Sequence, residues 1–385
     1  MEAKREAQNI FIKKRARHGR RCSTSLCILC ITLLLCITVS SASAGSKKDM
    51  QQNTEEEPVL PDDGSLPEAP SAQIEQDVNR PAYFHDLPTG DPVTFHEVWG
   101  YVMVDREYEY DPSMPITDLC YFGVEVNAYG ELEAIPNVSK VKGFKGRTHL
   151  VAACSSRSLT HFVLDPQYGV REKVIDALAK ATSQYDGIQI DYELVPARDA
   201  KNFRTFLSDI RAKIGKEKWL TVCVPARVKD IKDDIYNYKA LEPLVDRVII
   251  MAYDQHWSTS EPGAVAGMDW CRRIADYAVT VLPKKKLVMG LPFYGRTWQD
   301  TSYGKAWYFS GVNRIMNEND MHVIEREDGV PHFTFKTEVT VTGYFDDTYS
   351  LVERSRMYQS KNIDRIAFWR IGQEDPSFWP WLTVK

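Results

Sequence analysis

The chain has 385 residues, enough for one large domain with additions. Its 43% hydrophobic content and formal net charge of -5 suit a globular fold and give no reason to expect nucleic acid or an anionic membrane as partner. The eight His and eight Cys show no metal-ligand spacing, so neither a metal nor another cofactor is expected.

The chain opens on a strongly basic stretch, Lys4 to Arg21, followed by an apolar run from Leu26 to Val39 that is short for a membrane span. Ala42-Ser43-Ala44 then reads as a small-residue cleavage site with cutting before Gly45. Residues 1–44 are therefore expected to be a signal peptide, with an uncleaved anchor as the alternative. Either reading exports the remainder of the chain, to the periplasm, cell envelope or exterior. Residues 45–93 hold Glu55-Glu56-Glu57, Asp62-Asp63-Gly64 and several Pro, with few large apolar residues to bury, and read as a linker. Four cysteines lie in the leader. Cys120, Cys154 and Cys223 fall in apolar strand-like runs and read as buried thiols; with Cys271 they also permit a disulfide in an exported chain.

From residue 94 the pattern is strand, then helix, repeated. Strands are expected at Val98 to Val104, Leu119 to Val126, His149 to Cys154, Asp186 to Glu193, Trp219 to Val224, Val248 to Tyr253, Leu287 to Pro292 and Ile366 to Arg370. Helical spacing connects Val170, Val174, Ile175, Leu178 and Ala181, then Phe203, Phe206, Leu207, Ile210 and Ile214, then Trp270, Ile274, Tyr277 and Val281. The alternation implies a parallel sheet, and eight units predict an α/β protein of the (β/α)8 barrel type over 94–385. No Gly-rich phosphate turn follows the first strand, which argues against a doubly wound sheet. Residues 299–342, rich in aromatics, read as a small α+β insertion between strands seven and eight.

The fourth strand, Asp186-Gly187-Ile188-Gln189-Ile190-Asp191-Tyr192-Glu193, alternates apolar and polar residues. Gln189, Asp191 and Glu193 share one face and Ile188, Ile190 and Tyr192 the other. Two carboxyls and an amide on one face of an apolar strand are costly to bury without partners. Barrel enzymes place their chemistry at the carboxyl ends of the strands, where this face emerges.

This octapeptide resembles the D-G-x-D-x-D-x-E signature of glycoside hydrolase family 18, matching at Asp186, Gly187, Asp191 and Glu193. It departs at Gln189, where most of the family has Asp; members resembling the spore cortex-lytic branch often carry Asn. Met251-Ala252-Tyr253-Asp254 is similar to the family's M-x-Y-D, Leu291-Pro292-Phe293-Tyr294-Gly295-Arg296 to its G-x-P-x-Y-G-R, and Trp369 stands where the family has a floor tryptophan. Gly100-Tyr101 and Phe122 also match common barrel positions. The resemblance runs from about Phe95 to Trp381.

It implies an exported glycosidase of chitinase or N-acetylglucosaminidase type that cleaves β-linked N-acetylglucosamine glycans by substrate-assisted, retaining hydrolysis. Glu193 would be the general acid/base. Asp191, as a nearby anion, would raise the Glu193 pKa and stabilise the oxazolinium, and Tyr253 would orient the acetamido carbonyl. Gln189, Asp254, Tyr294, Arg296, Trp369 and Tyr101 complete the expected substrate-binding set, with Gln189 also holding Asp191 in place. Duller readings stand beside these: Tyr253 as a core tyrosine, Trp369 and Tyr101 as packing, Asp254 and Arg296 as a structural pair. The expected partner is an N-acetylglucosamine-containing oligo- or polysaccharide, with peptidoglycan ahead of chitin, acted on by a monomer. The alternative is a non-catalytic, chitinase-like sugar-binding protein.

Overall fold

Eight parallel strands close on themselves. They are β2 (Glu97–Met103), β3 (Asp118–Val126), β5 (Arg147–Ala153), β6 (Gly187–Asp191), β7 (Trp219–Pro225), β8 (Arg247–Met251), β9 (Leu287–Pro292) and β15 (Arg365–Trp369). Each pairs with the next, and β2 bonds both β3 and β15, which shuts the barrel. The structure, a computed structural model, describes residues 87–154, 156–300 and 302–385. The expected leader and most of the expected linker lie outside the described residues. Val93, the last residue of that expected linker, already belongs to strand β1 (Val93–Phe95), which pairs in parallel with β16 (Leu382–Val384).

Strand periodicity divides the apolar residues into two layers. Ile188, Ile190, Tyr192, Val222, Val224, Val248 and Ile250 face outward and pack beneath the helices. Trp99, Tyr101, Cys120, Val151, Cys223, Ile249, Val288 and Ala367 fill the interior, with Phe122, Met251 and Trp369 against them. Each large apolar side chain buried this way contributes about 1.5–3 kcal/mol. Cys120, Cys154 and Cys223 are buried free thiols as expected, Cys271 is one too, and the disulfide that the sequence permitted does not form among them.

Three helices answer the periodicity read from the sequence: α2 (Arg171–Thr182), α3 (Ala200–Ile214) and α5 (Met268–Val281). The helices α1 (Arg157–Leu164), α4 (Tyr238–Leu241) and α7 (Thr348–Ser360) were not among the expected ones, while α6 (Phe309–Glu318) is the helical part of the expected α+β insertion. The strict alternation also fails at the start. Among the described residues only short 3-10 turns and the two-residue strand β4 (Leu132–Glu133) separate β2, β3 and β5. These links are rich in Pro and Gly, which break helices.

The insertion is larger than expected. A five-stranded antiparallel sheet runs β11 (Ser302–Trp307), β10 (Gly295–Gln299), β14 (Thr340–Tyr344), β13 (Val330–Lys336), β12 (Glu325–Glu327), so it begins at Gly295 rather than at 299. Phe309, Val312 and Met316 of α6 pack on Phe333 and Phe345 to give it a core of its own. No helix among the described residues is long and apolar enough to cross a membrane.

Candidate active site

The Asp186-Gly187 pair fixes how β6 enters the barrel. Asp186 Oδ2 accepts from the Thr148 backbone N–H (2.8 Å) and hydroxyl (3.0 Å), tying the strand to β5. A Cβ on Gly187 would stand 2.6 Å from Trp219 Cβ and 2.7 Å from its carbonyl oxygen, so only glycine admits the neighbouring strand here. From that start the alternation sends Gln189 and Asp191 into the barrel. The regular strand ends at Asp191, and Glu193 lies two residues beyond, at the rim.

Gln189 is fully buried, which corrects its assignment as a sugar contact. Its Oε1 accepts from Tyr101 Oη at 2.7 Å and from Cys223 Sγ at 3.2 Å, and its Nε2 donates to Thr221 Oγ1 at 3.2 Å. The amide is therefore committed to Tyr101, Cys223 and Thr221 rather than to Asp191, contrary to the expectation that it would hold Asp191 directly. Tyr101 is corrected for the same reason. It is 3% exposed and spends its hydroxyl on Gln189, so it supports the floor from below.

Asp191 is 6% exposed, and its Oδ1 is buried with no hydrogen-bond partner. Burial, then the Glu193 charge, push its carboxyl well above the ordinary range, against a smaller lowering by the Cys223 thiol. Glu193 is exposed to solvent at the rim, although the wall of the barrel mouth surrounds it closely. Crowding by the surrounding wall, then the charge of Asp254, raise it to about 7. The sequence reading made Asp191 a fixed anion that lifts Glu193. The structure instead raises Asp191 itself, through burial and then the Glu193 charge, while burial and then Asp254, not Asp191, lift Glu193. Glu193 therefore keeps its proton closer to neutrality than an ordinary glutamate does. Tyr253 is half-buried just past β8, and burial raises its hydroxyl well above the ordinary phenol value, so it remains a donor.

Asp254 follows in a left-handed conformation (φ 57°), which Asp tolerates better than most residues. Its Oδ1 accepts from Tyr294 Oη (2.6 Å), Arg296 Nε (3.1 Å) and Arg296 Nη2 (2.8 Å). Tyr294 and Arg296 are 5% and 4% exposed, so they act as supports that aim Asp254 rather than as open sugar contacts. Trp369 is half-buried; its ring meets Phe122 at 4.8 Å and Tyr101 at 5.4 Å.

Sequence reasoning missed Thr221 and Cys223. Both lie on the inward face of β7, and a period-two count from the strand would have exposed them. One group of metal-capable side chains, His161, Asp165 and Asp199, occurs among the described residues. His161 Nδ1 already bonds Asp199 (2.8 Å), and Asp165 accepts from Gln167 N–H (3.0 Å), so their polar atoms are engaged locally.

Among known proteins, the chain is 28% identical over 218 residues to the uncharacterized glycosylase YvbX of Bacillus subtilis (strain 168), covering 52% of this chain and 61% of that one. It is 25% identical over 291 residues to the cortical fragment-lytic enzyme of Bacillus anthracis, covering 70% and 67%. The crystal structure of the Bacillus cereus spore cortex-lytic enzyme SleL superposes with a TM-score of 0.68 at 21% identity, covering 77% of this chain and 76% of that one. The chain spans about three fifths to two thirds of the length of the curated relatives named here. Residues 162–374, more than half of the chain, match the family model "Glycosyl hydrolases family 18". On its barrel, its strand-end carboxyls and that match, the chain belongs to the glycosyl hydrolases of family 18.

Proposed function

We propose that the protein is an exported glycosidase that cleaves β-linked N-acetylglucosamine glycans by substrate-assisted, retaining hydrolysis. The observation that carries this reading is the Asp191–Glu193 pair, two interacting carboxyls with raised proton affinity at the mouth of a closed barrel. In this mechanism Glu193 protonates the departing glycosidic oxygen while the substrate's acetamido oxygen attacks the anomeric carbon. The orphaned Oδ1 of Asp191 suits the acetamido N–H, and its carboxylate offsets the positive charge of the oxazolinium ion. Tyr253 donates to the acetamido oxygen and orients it. Water then opens the ring, giving a proton back to Glu193. Trp369 offers a flat apolar face under the reacting sugar.

Bacterial wall glycan ranks first among substrates, supported by the similarity to a cortical fragment-lytic enzyme. Export rests on the basic leader and the Leu26 to Val39 run. The test uses protein recovered from the medium or envelope, whose first residue should be Gly45, set in parallel against purified sacculi, chitin oligomers and a high-mannose glycopeptide, with mass analysis. Release of N-acetylglucosamine-ended fragments from sacculi by wild type, reduced about 100-fold or more in Glu193→Gln, is expected. Tight binding without turnover would overturn the reading.

A further inference from the structure

Beneath the carboxyl pair lies a small polar island: Gln189 from β6, Thr221 and Cys223 from the adjacent β7, and Tyr101 from β2, three strands away from β6. The β6–β7 register pairs Gln189 with Thr221 and Ile190 with Val222, so Cys223 stands level with Asp191 on the adjacent strand, facing the same interior. Cys223 is 4% exposed. Its Sγ lies 3.2 Å from Gln189 Oε1 and 3.9 Å from Tyr101 Oη.

The hydrogen-bond count is unbalanced in an informative way. Gln189 Oε1 has two lone pairs and two donors, Tyr101 and Cys223. Asp191, one register step away, has a buried Oδ1 with no partner. The groups facing Asp191 are Glu193 on its own chain segment, Tyr101 from β2, Cys120 from β3, Cys223 from β7, Tyr253 past β8, and Tyr236. None is a cation. Of these, the Cys223 thiol is the group whose donation eases the ionisation of Asp191. A thiol carries one proton, and Asp191, level with Cys223 on the adjacent strand, is a second acceptor beside Gln189 Oε1.

We propose that Cys223 is a positioning residue for Asp191: its single S–H is shared between Gln189 Oε1 and the Asp191 carboxyl, in place of a direct link from Gln189. When the thiol turns to Gln189, as in this structure, Asp191 keeps a vacant oxygen for the ligand. When it turns to Asp191, it stabilises the carboxylate as charge develops. The thiol is a weak donor, so neither state is locked. This inference rests on the glycosidase reading of the same site.

The test compares Cys223→Ala and Cys223→Ser. Alanine removes the donor, and both limbs of the kcat/KM pH profile should move to higher pH by about 0.5 unit. Serine is a stronger donor, and the limbs should move to lower pH by a similar amount. Opposite shifts with unchanged melting temperatures are the expected result; shifts of the same sign, or none, would overturn the proposal. A second readout needs no turnover: the infrared S–H stretching band of Cys223, isolated by subtracting the Cys223→Ser spectrum. This band should move when Asp191→Ala is introduced into the otherwise native chain, and an unmoved band would overturn the proposal even if Cys223→Ala misfolds. A moved band in a protein that hydrolyses nothing would leave the positioning role standing and remove the glycosidase reading. Hydrolysis that depends on Glu193, with an unmoved band, would do the reverse.

Discussion

Asp191 is held in a place where ionisation is unfavourable, and the fold bears that load. Its carboxyl is buried beside Glu193, and its proton affinity is raised rather than lowered. A carboxyl raised in the native state binds more protons there than in the unfolded chain. Its contribution to stability is therefore intact at low pH and falls as pH rises through the ordinary carboxylate range and toward the raised value. Asp191→Asn should consequently melt above wild type at pH 7 to 8, by about 2 °C or more, with the difference closing toward pH 4. A difference that is constant with pH, or reversed, would show that Asp191 is stabilised in the native state by something other than the groups named here. The face on which Gln189, Asp191 and Glu193 lie was legible from period-two alternation alone. What was not legible is where the Gln189 amide spends its hydrogen bonds. That depends on Tyr101, Thr221 and Cys223, which arrive from strands 88, 32 and 34 residues away.

Elements whose burial is one-sided were readable, and those buried on several sides were not. The helices α2, α3 and α5 carry clean apolar stripes such as Phe203, Phe206, Leu207 and Ile210. Helix α7 does not. Its buried residues include Ser350, Arg354 and Ser355 among Leu351, Val352 and Tyr358, so its apolar periodicity is interrupted. Arg354 is fully buried, with Nη1 2.9 Å from Asp346 Oδ1 and Nη2 donating to the Ala266 carbonyl at 2.5 Å. Asp346 also accepts from Ser350 Oγ at 2.7 Å. This network fastens α7 between the loop before α5 and the end of the insertion. Removing one partner leaves the other buried without compensation, so Arg354→Met should lower unfolding free energy by about 3–5 kcal/mol in urea titration. Adding Asp346→Asn should recover part of the loss. No recovery in the double variant would mean that shape, not charge, dominates at this position.

The described residues build a closed barrel whose rim collects groups from distant parts of the chain: Glu193 after β6, Tyr253 and Asp254 after β8, Tyr294 and Arg296 after β9, Trp369 at the end of β15. Closure is what allows this, because each strand end points at one mouth. The eight strands were recoverable from the sequence because parallel strands, buried on both faces, read as short apolar runs. The extent of the insertion was not, because Gly295-Arg296 serves both as the end of a rim motif and as the start of its first strand. The proposed chemistry rests on one arrangement, Glu193 beside the buried Asp191 carboxyl at this mouth. The most direct test is proton NMR of an N-acetylglucosamine oligomer during its first turnovers, with wild type and Glu193→Gln side by side. The β-anomer should form first, and the variant should be slower by about 100-fold or more. An α-anomer formed first, or equal rates for the two proteins, would contradict the account.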